Sequence, residues 1–294
     1  MRSLLPSLRR AVGVAGLAAI LPLPVSAEPV LAAVRDIERD LDARVGFYMH
    51  DTHSGQTLAY AADDRFPLNS TFKLLACGAL LGRAESGEVS LSQKVRLQDI
   101  EIVAYSPEIE RRALTGHEDV SLGAACEMTL AVSDNSAANI VLSAIGGPDG
   151  LTGFLRSIGD QVTRLDRWET ELNAAVPGDP RDSTSPRAIA FSVERLLLGD
   201  ALTPASKAIL REWLAGHRVA DALFRAALPS SWEIEDRTGA GGYGSRSIVA
   251  VLYPPERAPI VVALFVTETE ADFDRRNAAA AQIGAAIVAH VTNE

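Results

Sequence analysis

The chain has 294 residues and a formal net charge of −10, from 28 lysines and arginines against 38 aspartates and glutamates. That balance repels phosphate backbones, and no basic patch interleaved with aromatics offsets it, so no nucleic-acid partner is expected. The length suits one large domain or two intimate lobes.

The chain opens on an export leader. Arg2, Arg9 and Arg10 give a positive start, residues 11–25 are apolar but too short to span a bilayer, and Val25-Ser26-Ala27 is a small-x-small cleavage site. Cleavage is expected before Glu28. The residues after Arg9-Arg10 fit a twin-arginine signal poorly, so general secretion is the better reading. Losing three arginines and no acid takes the charge from −10 to −13 for residues 28–294. No later apolar run is long enough for a transmembrane helix, so the mature protein is expected to be free of the membrane.

Leu31, Val34, Ile37 and Leu41 mark one face of a first helix. Residues 45–49 and 56–60 read as strands joined by the turn Asp51-Thr52-His53-Ser54-Gly55. Residues 69–145 read as mostly helical, broken at Gly87, Pro107, Gly116 and Gly146-Gly147. Residues 151–159 form another helix, and 163–186 show no period and many charges, with Pro177, Gly178 and Pro180, the mark of a functional or disordered loop. Two helices at 185–198 and 204–214 are followed by strands near 232–236, 246–253 and 260–267, and by a helix over 271–291 carrying Ile283, Ile287 and Val291 one turn apart. Strands at both ends and helices between them predict a two-lobe α/β (α+β) fold. An antiparallel sheet flanked by the terminal helices (28–65 and 216–294) would carry an all-helical lobe (66–215) that includes the 163–186 loop.

Three groups of residues point to chemistry, and a cysteine pair bears on how two of them meet. Ser70-Thr71-Phe72-Lys73 opens a helix after Pro67, placing a hydroxyl and an amine one turn apart at a helix N-terminus, where the dipole favours a developing alkoxide. Ser133-Asp134-Asn135 lies between two helical segments. Cys77 follows Ser70 by seven residues and Cys126 precedes Ser133 by seven, nearly two turns in each case, so each cysteine shares a face with its serine. An even cysteine count in an exported chain points to one disulfide, which would turn Ser70 and Ser133 toward one pocket. Glu169 stands four residues before Asn173 in the irregular loop, a carboxylate to deprotonate a water and an amide to hold it. Arg167 and Asp182 could close that loop with a salt bridge.

Two motifs do not carry the chemistry their patterns suggest. Gly239, Gly241 and Gly244 spell G-x-G-x-x-G in EDRTGAGGYGSRS, but a strand follows, so the segment reads as a hairpin with no helix N-terminus for a pyrophosphate. His50 and His53 form a lone H-x-x-H in a turn, too few ligands for a metal.

Together the residues resemble the class A serine β-lactamases. The S-x-x-K, S-D-N and K-T-G set of those enzymes and of penicillin-binding proteins reads here Ser70 to Lys73, Ser133 to Asn135 and Arg237-Thr238-Gly239. The R-W-E-x-E-L-N loop from Arg167 to Asn173, the cysteine pair, Tyr105-Ser106-Pro107 and Arg246 extend the likeness over nearly the whole mature chain.

The resemblance implies a periplasmic, monomeric enzyme that needs no metal or other cofactor and takes a β-lactam as its small-molecule partner. It implies Ser70 as nucleophile, Lys73 or Glu169 through a water as acylation base, Ser133 as proton donor to the leaving nitrogen, and Glu169 with Asn173 for deacylation. Tyr105 and Asn135 would contact substrate. The backbone of Ser70 and Ala240 would form the oxyanion hole, and Arg237, Thr238, Gly239 and Arg246 would bind the substrate carboxylate. Arg237 departs from the more common Lys and resembles the carbenicillin-hydrolysing subgroup, so carbenicillin and other penicillins are expected substrates. A broad-spectrum class A enzyme, a penicillin-binding D,D-peptidase and a β-lactam sensor are the competing readings. Thr170 replaces a proline common in the family, and a cis Glu169–Thr170 peptide is expected.

Overall fold

A computed structural model describes residues 28–293; the expected leader and its cleavage site lie outside the described residues. In chain order the elements are α1 (Glu28–Asp40), β1 (Arg44–Asp51), β2 (Thr57–Tyr60), β3 (Phe66–Pro67), α2 (Phe72–Glu85), β4 (Lys94–Arg96), α3 (Pro107–Leu114), β5 (Asp119–Ser121), α4 (Leu122–Val132), α5 (Asn135–Ala144), α6 (Gly147–Ser157), β6 (Ser183–Thr184), α7 (Pro186–Leu197), α8 (Pro204–Ala215), β7 (Glu233–Ala240), β8 (Arg246–Tyr253), β9 (Ile260–Thr267) and α9 (Phe273–Thr292).

The main sheet has five antiparallel strands in the order β2-β1-β9-β8-β7. Successive side chains point to opposite faces, and the buried residues sort accordingly. Val45, Phe47 and Met49, Ile248, Ala250 and Leu252, and Ile260, Val262 and Leu264 face a core closed by α1 and α9 through Val34, Ile37, Ile283 and Ile287. Val249, Val251, Val261, Ala263 and Phe265 face the other way, onto α7 and the helices beyond it. β8 and β9 are thus buried on both faces, which is why they read as unbroken apolar runs.

Helix α2 forms the centre of the helical part. Phe72 through Leu81 are all buried, so the helix is enclosed on every side. Side chains cap the helices packed around it: Ser121 Oγ accepts from Ala124 N, Ser185 Oγ from Ala188 N and Thr203 Oγ1 from Ser206 N. Among the described residues no helix is long and apolar enough to cross a membrane.

The helical stretch is less uniform than its sequence suggests. β4 pairs with β5 and β3 with β6, in ribbons of three and two residues. Runs this short hold too few residues to show a period. α5 and α6 also begin earlier than their apolar patterns, at positions set by the Asp134 cap and by Pro148 in the first turn.

Cys77 and Cys126 form a disulfide, with Cα atoms 5.7 Å apart, joining α2 to α4. It closes a loop of 49 residues, so Cys77→Ala/Cys126→Ala should lower unfolding free energy by about 4 kcal/mol in denaturant titration. A loss below about 1 kcal/mol would show that the closed loop constrains the unfolded chain little.

Candidate active site

Ser70 lies in a 3-10 turn, Asn69–Thr71, that runs directly into α2, with Lys73 one turn further on. Asn69 has a left-handed backbone, φ 44°, and its amide donates to Ser245 Oγ at 3.0 Å, tying this turn to the β7–β8 hairpin. Ser133 ends α4 in a left-handed conformation, φ 66°, and Asp134 begins α5. The Asp134 carboxylate caps two helices at once. Oδ1 accepts from Ala137 N at 2.9 Å, and Oδ2 accepts from Glu108 N and Ile109 N at 2.9 and 3.0 Å at the start of α3. That double cap holds the Tyr105 segment against α5, where Asn135 N donates to Tyr105 O at 3.0 Å.

The loop after α6 is closed as expected: Arg167 Nε contacts Asp182 Oδ2 at 2.5 Å, and Asp182 Oδ1 accepts from the backbone N–H groups of Asp166 and Arg167. The Glu169–Thr170 peptide is cis. Asn139 of α5 clamps Glu169 by its main chain, accepting from Glu169 N and donating to Glu169 O, both at 3.0 Å. The β7–β8 turn presses on the loop's far side, where Gly242 N donates to Asn173 O at 2.9 Å. A Cβ at Gly242 would run into the Ala174 carbonyl and one at Gly241 into the Asn69 amide, so both positions need glycine for this approach. The hairpin reading of EDRTGAGGYGSRS therefore holds, and its glycines seat the loop that carries Glu169.

A chain of polar contacts joins the candidate residues. Ser133 Oγ donates to Ser70 Oγ at 3.1 Å. It accepts from Lys73 Nζ at 3.1 Å and from Arg237 Nη2 at 2.5 Å. A hydroxyl has one proton and two lone pairs, and both cations can only donate. The two lone pairs of Ser133 are thus taken, and its single proton is left to point at Ser70. Lys73 Nζ also donates to Ser133 O at 2.8 Å and Asn135 Oδ1 at 2.6 Å. Its contact with Glu169 Oε1 at 3.0 Å is an ion pair rather than an aligned hydrogen bond, with both side chains fully buried. Asn173 Nδ2 donates to Glu169 Oε2 at 2.5 Å. Burial pushes the Lys73 amine down to about 8, against the opposing pull of Glu169 and with help from Arg237.

Ser70, Ser133, Asn135, Asn173, Tyr105, Thr238, Gly239, Ala240 and Arg246 line one cleft of about 350 Å³. Lys73, Glu169 and Arg237 lie behind its wall. Arg237 is fully buried, and burial lowers its titration to about 10, so it remains charged at neutral pH. Arg246 donates from Nε to Asn277 Oδ1 at 2.8 Å and lies over the Phe273 ring. Elsewhere, His50 Nδ1 lies 2.7 Å from Glu194 Oε2 and His53 N donates to Asp51.

Comparison with known proteins agrees with this geometry. The beta-lactamase enzyme family matches residues 29–291. The β-lactamase AER-1 of Aeromonas hydrophila is 47% identical over 270 residues, covering 91% of this chain and 88% of that protein. An ancestral class A β-lactamase superposes with a TM-score of 0.84 at 45% identity, covering 88% of this chain and 99% of the other. The chromosome-encoded β-lactamase of Vibrio parahaemolyticus does so with 0.85 at 39% identity, over 90% and 100%. The chain belongs to the class A serine β-lactamases. It is a hydrolase of β-lactams with the two-lobe fold of that family.

Sequence reasoning missed three contacts at the site of this β-lactamase. Asn139 was detectable as a lone amide within an apolar helical run, Ala137-Ala138-Asn139-Ile140-Val141. Asp134 caps α3 as well as α5, and α3 is distant in sequence. His217, whose Nε2 lies 2.8 Å from Arg237 Nη1, carries no signal in its surroundings.

Proposed function

We propose that this β-lactamase opens penicillins through an acyl-enzyme on Ser70, with carbenicillin among its preferred substrates, and that it acts as a monomer in the periplasm after losing residues 1–27. The observation that carries the chemistry is the unbroken polar chain Ser70–Ser133–Lys73–Glu169, with Asn173 on the carboxylate.

Lys73 is charged in most molecules at neutral pH. That leaves the Glu169 carboxylate, acting through a water, to take the Ser70 proton as Oγ attacks the lactam carbonyl. The backbone N–H groups of Ser70 and Ala240 hold the oxyanion. The C–N bond breaks, and the nitrogen takes the proton that Ser133 already directs into the cleft. Lys73 reprotonates Ser133, and Glu169 returns a proton to Lys73 across 3.0 Å. Glu169 is then a carboxylate again and deprotonates the water that hydrolyses the ester. Asn173 Oδ1, buried without a hydrogen-bond partner, supplies a further acceptor for that water. No step requires a metal.

The scheme makes the Lys73 charge essential. kcat/KM should fall as pH rises through about 8, because the deprotonated amine can no longer resupply Ser133. A rate that climbs through that pH would make Lys73 the acylation base.

Substrate preference rests on the Arg237-Thr238-Gly239 form of the third motif and on a cleft bordered by Arg246 and backed by Arg237. Both cations favour an anionic ligand, and carbenicillin carries a second carboxylate. Comparing kcat/KM for carbenicillin and benzylpenicillin tests this: values within about tenfold are expected, a difference of one pKa-unit equivalent in free energy. A deficit beyond about a hundredfold would favour a narrower penicillinase. The penicillin-binding reading is disfavoured by Glu169 and Asn173, which that chemistry does not use.

A further inference from the structure

The polar chain does not end at Ser133. Arg237 donates from Nη2 to Ser133 Oγ, and its Nη1 lies 2.8 Å from His217 Nε2. A guanidinium can only donate, so Nε2 is the acceptor and the ring proton sits on Nδ1. Nδ1 lies 3.0 Å from Asp236 Oδ1, and Arg225 Nη2 holds the same carboxylate oxygen at 2.6 Å. The side chains of His217 and Asp236 are both wholly buried. Each member of the series has its orientation set by the next.

This arrangement answers a problem that Arg237 creates. An ammonium at this position would bring three rotatable donors, whereas a guanidinium brings five in a rigid plane. A buried donor without an acceptor is costly, and the second arm of Arg237 needs one. His217 provides it and thereby fixes the plane from which the first arm reaches Ser133.

We propose that His217 is a positioning residue of the active site: its neutral ring, oriented by Asp236, aims Arg237 at Ser133 and so keeps the Ser133 proton directed at Ser70. This rests on the roles proposed above for Ser133 and Arg237. The charged groups facing the ring are Arg237 and Asp236 on β7 and Arg225 on the 3-10 turn Phe224–Ala227. Burial, and the two arginines, lower the titration of the ring against the pull of Asp236, so the acceptor lone pair persists at neutral pH. Protonation in acid places a proton on Nε2 against the guanidinium and removes the contact.

Two substitutions separate this role from structural support of Asp236. The side-chain amide of His217→Asn can replace Nδ1 and serve Asp236, but it cannot reach Arg237. That of His217→Gln can replace Nε2 and accept from Arg237, but it leaves Asp236 to Arg225. With carbenicillin as substrate, His217→Asn should lower kcat/KM by about 10- to 100-fold, chiefly through kcat, and His217→Gln should restore most of it. In an Arg237→Lys background the Asn substitution should have little further effect, since the lysine does not need the acceptor. Nitrogen NMR of the unmodified protein should show the Nδ1-protonated neutral tautomer at pH 7. An Nε2-protonated ring, equal losses from Asn and Gln, or the same Asn effect in both backgrounds would overturn the proposal. A parent enzyme that turns over neither carbenicillin nor benzylpenicillin would instead count against the catalytic scheme.

Discussion

Glu169→Ala should convert the enzyme into a stoichiometric acceptor of penicillin, with a stable acyl adduct on Ser70. The carboxylate is buried, paired with Lys73 at 3.0 Å and contacted by Asn173, and its removal takes away the base proposed above for the hydrolytic water. Acylation has an alternative. Glu169 is the main influence holding the Lys73 titration up against burial, so its removal shifts the amine further toward the neutral form, which can accept the Ser70 proton through Ser133. Deacylation has no such substitute and should slow by about 10³-fold or more, within the range of a lost general base. Intact mass after brief mixing with penicillin should show one adduct per chain that persists for many wild-type turnover times. Undiminished turnover would mean that another group activates the water.

Ser70→Ala should abolish turnover and adduct formation together, lowering kcat by about 10⁴- to 10⁶-fold, as loss of a nucleophile in a coupled catalytic set does. The residue is held in the turn by backbone geometry and by Asn69, so the fold should survive the change. Ser133 then loses its acceptor but keeps both cations. Since catalytic groups are commonly placed at some expense of stability, the melting temperature should hold or rise. Residual hydrolysis within tenfold of the parent would require a different nucleophile, and a collapse in melting temperature would show that the hydroxyl supports the fold.

The sheet was legible because its strands are long, apolar and punctuated by turns. Residues 246–253 and 260–267 match β8 and β9 in both bounds, since burial on two faces keeps residues 248–252 and 260–266 apolar without a break. β7 was read too short: Arg237, Thr238 and Gly239 do not look like strand residues, yet they pair with Val249, Ile248 and Ser247. Their composition answers to the cleft rather than to the sheet. The proximity of Ser70 and Ser133 followed from two seven-residue spacings and one disulfide. What stayed hidden are contacts between segments distant in sequence, such as Asp134 with α3, Asn139 with Glu169 and His217 with Arg237. Each joins a polar side chain to a partner 20 or more positions away, and no local pattern encodes such a pair.

The central claim is that Ser70 is acylated and Glu169 then releases it. The most direct test mixes residues 28–294 with a large molar excess of carbenicillin, following the lactam absorbance while taking intact masses. The account predicts complete consumption of the substrate, many turnovers per chain, and a final mass equal to that of the unmodified protein. Consumption of one equivalent, with a lasting adduct on Ser70, would contradict the role given to Glu169 and identify a protein that acylates without hydrolysing.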